Sequence, residues 1–230
     1  MKRILNTISQ KWPEYLLEIL VITIGILGAF GLNNWNEFRK TSLREADILE
    51  EINYEFKENL EEYYQTKKNH QQAAENGQWL LNHYPYFDTI SSDSIASRIW
   101  GIIGPVTFEP SESTIEALIS TQSFNIIKNK ELRMHLIKWK DALKDHQKFE
   151  RYGQTFTVDI MIPYLARYLD LQELSDGEIG SRKLFNEVET KNMFYRRTNF
   201  ANSMINRNNI ENRMIEIIAL TEPARSKKDH

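Results

Sequence analysis

From Leu16 to Leu32 the chain reads LLEILVITIGILGAFGL, an apolar run whose single charged side chain is Glu18. Beyond Trp35 the pattern changes at once. Leu49, Ile52, Phe56, Leu60 and Tyr63 recur every three or four residues among Glu, Lys, Asn and Gln, the spacing of a helix with one apolar face. No proline stands between Glu14 and Tyr84, so the apolar helix is expected to run nearly without a break into the amphipathic one. Asn33-Asn34 is its weakest point, and His83-Tyr84-Pro85 its end.

The later chain reads as shorter helices. Ser91-Ser92-Asp93 is placed to cap a helix holding Ile95, Ile99 and Trp100, and Gly101, Gly104-Pro105 and Pro110 interrupt the chain beyond it. Ser113-x-x-Glu116 has capping-box spacing ahead of Ile115, Leu118 and Ile119. After a turn from Thr121 to Asn129, Leu132, Leu136, Trp139 and Leu143 predict a helix ending near Phe149. Pro163 is expected to divide Phe156-x-x-Asp159-Ile160 from Tyr164-Leu165. Asp176-Gly177 and Ile179-Gly180 mark a loop, and Lys183 to Leu220 holds one or two helices. The implied fold class is all-α: one N-terminal transmembrane helix leading into a long helix and an irregular bundle of five to seven helices. The domain boundaries are a tail at 1–14, a membrane helix at 15–35, a helical domain at 36–222 and a charged tail at 223–230.

Three readings compete for the apolar run: membrane helix, cleaved signal peptide and buried core helix. Lys2, Arg3 and Lys11 with Ala29-Phe30-Gly31 resemble a signal peptide's basic head and small-x-small site. Glu18 inside the run and Trp35 beyond it favour an uncleaved anchor. Trp12 and Trp35 lie 23 positions apart, roughly 35 Å of helix at about 1.5 Å per residue. A hydrocarbon core of about 30 Å fits between two such interfacial aromatic anchors. Glu18, Ile22, Gly25 and Ala29 share one helical stripe, in which small residues admit a second helix and the acid faces it. Snorkelling of Glu18 to the headgroups is the competing account. Basic residues flank the run on both sides, with Arg39, Lys40 and Arg44 on its C-terminal side. The basic head before a first apolar segment favours an N-terminus in the cytoplasm and a C-terminal domain outside the inner membrane.

Composition narrows the function. The 230 residues carry 29 basic and 32 acidic side chains, net charge -3, so no overall field attracts nucleic acid. No cysteine is present, which removes disulfides, thiol nucleophiles and thiolate metal sites. His135 and His146 share a helix face but stand about 16 Å apart along it, too far for one ion. The sequence holds no zinc-protease, nucleophile-elbow or phosphate-loop motif. Glu109, Glu112 and Glu116 gather near one helix start, where acids favour the helix dipole. Arg196-Arg197, Arg207 and Arg213, interleaved with Phe194, Tyr195 and Phe200, read as a solvated helix face rather than an anion grip. Tyr63-Tyr64, Trp79, Tyr84, Tyr86 and Phe87 read as core and loop packing.

Two segments carry a resemblance. Glu18 to Leu27 with Leu32-Asn33-Asn34-Trp35-Asn36-Glu37 resembles the membrane segment and exit motif of a family of uncharacterised single-pass bacterial membrane proteins. Ser113 to Ser120 with Phe124 to Arg133 is similar to a helix-turn-helix stretch of that family. Thr121-Gln122-Ser123 stands where the family often has a small Ser-Gly turn. The resemblance implies the anchor and adds no activity. The function expected is therefore a non-enzymatic, single-pass inner-membrane protein without a cofactor. Its membrane helix meets the lipid bilayer and itself or another membrane subunit, and its domain binds a protein partner within an envelope complex. A periplasmic module sensing a small ligand between its helices is the second reading, and a membrane-tethered hydrolase the third.

Overall fold

The computed structural model describes residues 2–222, with side chains for Trp12 and from Tyr15 onward. The expected charged tail at 223–230, and the basic side chains Lys2, Arg3 and Lys11, lie outside that description. The described residues are all-helical, without a strand. The chain divides into two units, the first ending at Leu49 and the second beginning at Glu50.

Helix α1 (Lys2–His83) supplies the whole of the first unit and the opening helix of the second. In the first unit it is long and apolar enough to cross a membrane, and none of its most apolar window is buried within the protein. It passes through Asn33-Asn34 without a break; two asparagines lower helix propensity by only a few tenths of a kcal/mol each. The Thr23 hydroxyl donates to the Ile19 carbonyl at 2.7 Å, so this polar group in an apolar stretch is satisfied within its own helix.

In the second unit, Ile52, Phe56 and Tyr63 of α1 are buried, as their spacing predicts, Leu60 of the same stripe is half-buried, and Ala73 and Leu80 are buried further along. Around them pack α2 (Ser92–Ile103), α3 (Ser113–Ser120), α4 (Lys130–Thr155), α7 (Val188–Ile205) and α8 (Asn209–Thr221), with short α5 (Ile162–Leu165) and α6 (Leu171–Ser175) between. α4 packs on α8, and the Trp139 ring meets Phe56 edge-on at 5.0 Å. A second apolar cluster joins Leu80, Phe87, Ile99, Tyr164, Leu165 and Phe194. The end of α8 is tied to α1 by Asn53, whose Nδ2 donates to the Ile218 carbonyl at 3.1 Å and to Thr221 Oγ1 at 2.9 Å. Tyr63 donates to the Arg207 carbonyl at 2.9 Å, and Lys67 pairs with Glu211 at 2.7 Å.

Four expectations about helix ends and breaks need correction. Ser113 and Glu116 form no capping box; the α3 start is held from α1 by Glu55, whose Oε2 accepts from Ser113 Oγ at 2.5 Å, Thr114 N at 2.9 Å and Thr114 Oγ1 at 2.8 Å. Ser91 spends its hydroxyl on Ser94 Oγ, not on a backbone N–H of α2. α4 does not stop near Phe149, nor does Pro163 divide the chain: α4 continues through a π-helical segment, Phe156–Met161, into α5. Pro163 has no N–H, and its ring crowds the carbonyl one turn back. The wider turn, in which the Ile162 N–H reaches the Thr157 carbonyl five residues back, accommodates it.

The turn Thr121-Gln122-Ser123 places Gln122 at φ 52, the only non-glycine at positive φ among the described residues. That left-handed conformation is the one a glycine adopts most readily.

Candidate functional site

Two places hold the chemistry. In the first unit, Glu18, Ile22, Gly25 and Ala29 fall at i, i+4, i+7 and i+11 of an uninterrupted helix and so stand on one face of it. All four are exposed, as are Trp12 and Trp35. A methyl group added at Gly25 would meet nothing within 4 Å. The small-residue face is open.

The second place lies among α4, the π-helical segment, α7 and the chain after α2. Here the apolar faces carry polar residues in register. His70 follows Tyr63 and Thr66 along the buried face of α1, His146 and Glu150 continue the Leu136, Trp139 and Leu143 face of α4, and Arg197 sits on the buried face of α7. Arg197 is 3% exposed, so the expectation of a solvated arginine face fails at this position. Its Nε donates to the Ile102 carbonyl at 2.8 Å, the preferred place for a cation near a helix C-terminus. Nη1 has no hydrogen-bond partner. Burial lowers the Arg197 pKa to about 10. The neighbouring arginines lie on aromatic faces, Arg196 4.3 Å from the Phe156 ring and Arg207 4.4 Å from Phe149, which is packing through cation–π contact.

Glu150 is as buried as Arg197 but does not pair with it among the described ion pairs. Its Oε1 accepts the Phe108 N–H at 3.0 Å and lies 3.3 Å from His146 Nε2. His70 has no partner for either ring nitrogen; burial, then the positive charge of Arg197 and the proximity of His146, lower its pKa to about 4. Burial first, with the carboxylates of Glu211 and Glu150, pushes Tyr63 up to about 12. A cavity of about 140 Å³ is lined by Glu150, Arg197, Thr157 and Gln154 on its polar side. Ile103, Val106, Val158, Ile162 and Phe200 line its apolar side. Gln154, Val158 and Pro105 are exposed and form its mouth. Gly153 shapes the wall, because a Cβ there would come within 2.1 Å of the Phe200 ring.

The remaining sequence candidates are dispersed. His135 Nδ1 lies 3.0 Å from Glu216 Oε2, and no cluster of metal-ligating side chains occurs among the described residues. Glu112 has its pKa raised mainly by burial, with Lys140 opposing, and Glu116 pairs with Lys140 at 3.8 Å. Of the aromatic run, Tyr63 and Phe87 are buried, Trp79 and Tyr84 pack against the core, and Tyr86 is exposed. Sequence reading missed Glu55, Glu150 and Arg197 as buried groups. Their signal was polar identity at a position in phase with an apolar stripe.

Compared with models of protein families, with curated proteins and with solved structures, the chain gives no match.

Proposed function

We propose that the chain is a single-pass inner-membrane protein, N-terminus in the cytoplasm, whose helical domain lies outside and takes part in protein–protein interaction within an envelope complex. No enzymatic activity is proposed. The observation that supports the reading is the apolar face of α1: the run from Leu16 to Leu32 is exposed throughout. Each large apolar side chain left in water forgoes about 1.5–3 kcal/mol of transfer energy, so an unburied run of this length belongs in lipid or against other membrane helices. Glu18, Ile22, Gly25 and Ala29 are the proposed contact with a copy of the helix or another membrane subunit, and Trp12 and Trp35 the interfacial anchors. The likeness of this segment to an uncharacterised single-pass family is part of the same proposal.

The test is crosslinking in intact membranes from a photoreactive residue at Ile22, with products identified by mass spectrometry. A specific protein adduct that disappears when Gly25 and Ala29 are replaced by isoleucine supports the interface. Adducts to lipid alone refute it and return Glu18 to snorkelling.

A further inference from the structure

The cavity in the second unit carries buried charged groups whose hydrogen-bonding capacity the protein uses only in part. Arg197 and Glu150 are each more than nine-tenths buried, opposite in sign, and on the wall of one small cavity, yet they do not pair with each other. Leaving a buried charge unpaired costs several kcal/mol. Arg197 donates Nε to the Ile102 carbonyl and lies with its guanidinium 5.7 Å from the centre of the Phe200 ring, while Nη1 has no hydrogen-bond partner. Glu150 accepts the Phe108 N–H on Oε1, which also lies 3.3 Å from His146 Nε2, and its Oε2 makes no hydrogen bond among the described residues.

The wall dictates the ligand's chemistry. A free anion would meet Arg197 but also the Glu150 carboxylate, and a free cation the reverse. A molecule carrying both charges meets an opposite one on each side. The volume of about 140 Å³ holds roughly four or five waters at about 30 Å³ each, so the ligand is small. Ile103, Val106, Val158 and Ile162 offer an apolar surface for a short aliphatic chain, and the polar minority orients it. The π-helical segment contributes Thr157 and Val158 to the wall; such segments occur often at binding sites. We propose that this cavity binds a small zwitterionic α-amino acid, with its carboxylate on Arg197, its ammonium on Glu150 and its side chain among the aliphatic residues. The proposal stands independently of the membrane contact.

The experiment is isothermal titration of the full-length chain in mild detergent with L-valine, 3-methylbutanoate and 2-methylpropylamine, the last two each lacking one charged group of the first. L-valine is expected to bind saturably at one site, and either one-charge analogue at least tenfold more weakly. Glu150→Gln keeps an acceptor for the Phe108 N–H and removes the ammonium partner. It is expected to weaken L-valine at least tenfold without weakening 3-methylbutanoate. Val158→Trp, at the exposed mouth, is expected to abolish L-valine binding with the helical circular dichroism unchanged. Absence of saturable heat from L-valine up to on the order of ten millimolar overturns the proposal, as does equal affinity for 3-methylbutanoate. So does L-valine binding unaltered in a folded Val158→Trp chain.

Discussion

His70 sits on the buried face of α1 at 2% exposure, 6.1 Å from the Phe200 ring, with neither ring nitrogen partnered. Its folded pKa is about 4, against an ordinary value of 6.5. Because the folded value is the lower one, the unfolded chain takes up the proton first as pH falls. The stability linked to His70 is therefore complete above about pH 6.5 and is withdrawn between about pH 6.5 and pH 4. Across the full window that shift corresponds to about 3 kcal/mol, and to about 2 kcal/mol between pH 7 and pH 5. His70→Leu keeps an apolar side chain in the site and removes the titration. Denaturant unfolding of the full-length chain in detergent, followed by circular dichroism at both pH values, isolates the effect, since the other titrating groups are common to the two proteins. The wild type should lose about 2 kcal/mol more than His70→Leu on going from pH 7 to pH 5. A difference below about 0.5 kcal/mol would refute the assignment of His70 as a histidine buried neutral.

Two further outcomes can be checked by the same unfolding measurement. Glu55→Ala removes the acceptor of three hydrogen bonds at the start of α3 and should cost about 2–4 kcal/mol, the sum of a lost cap and unsatisfied partners; Glu55→Gln, which retains one oxygen, should cost less. Gly153→Ala drives a methyl group into Phe200 and should cost about 1–3 kcal/mol, most of it recovered against a Phe200→Ala background in a double-mutant cycle.

The helical architecture was legible because it rests on periodicity. Ile52, Phe56 and Tyr63 in α1 and Leu132, Leu136 and Trp139 in α4 are apolar at helical spacing, and each is buried. The apolar run was legible from length alone. Ends were harder, because they depend on partners distant in sequence: the α3 cap is Glu55, fifty-eight positions before Ser113, and a local box could not reveal it. Pro163 misled for a similar reason, since a proline is tolerated where the helix widens by one residue, and nothing in the local sequence marks that widening. The cavity was the least legible. Arg197 lies in an arginine-rich stretch beside Arg196 and reads as surface; only the packing of α7 under the end of α2 distinguishes the two. Glu150, four residues after His146 on the α4 stripe, carried a signal of phase that the apolar pattern alone did not weigh.

The bonds from Asn53 and Lys67 to Thr221 and Glu211 join α1 to α8, and Tyr63 reaches the Arg207 carbonyl in the turn before α8. During synthesis these partners emerge far apart in time. At about 5–20 residues per second, the 168 positions from Asn53 to Thr221 take on the order of ten to thirty seconds. Throughout that interval Asn53 lacks its acceptors on α8. Helix α8 thus acts as a latch on the domain, and a nascent chain that stalls before Asn209 leaves the ribosome with Asn53 and Lys67 of α1 still without their α8 partners.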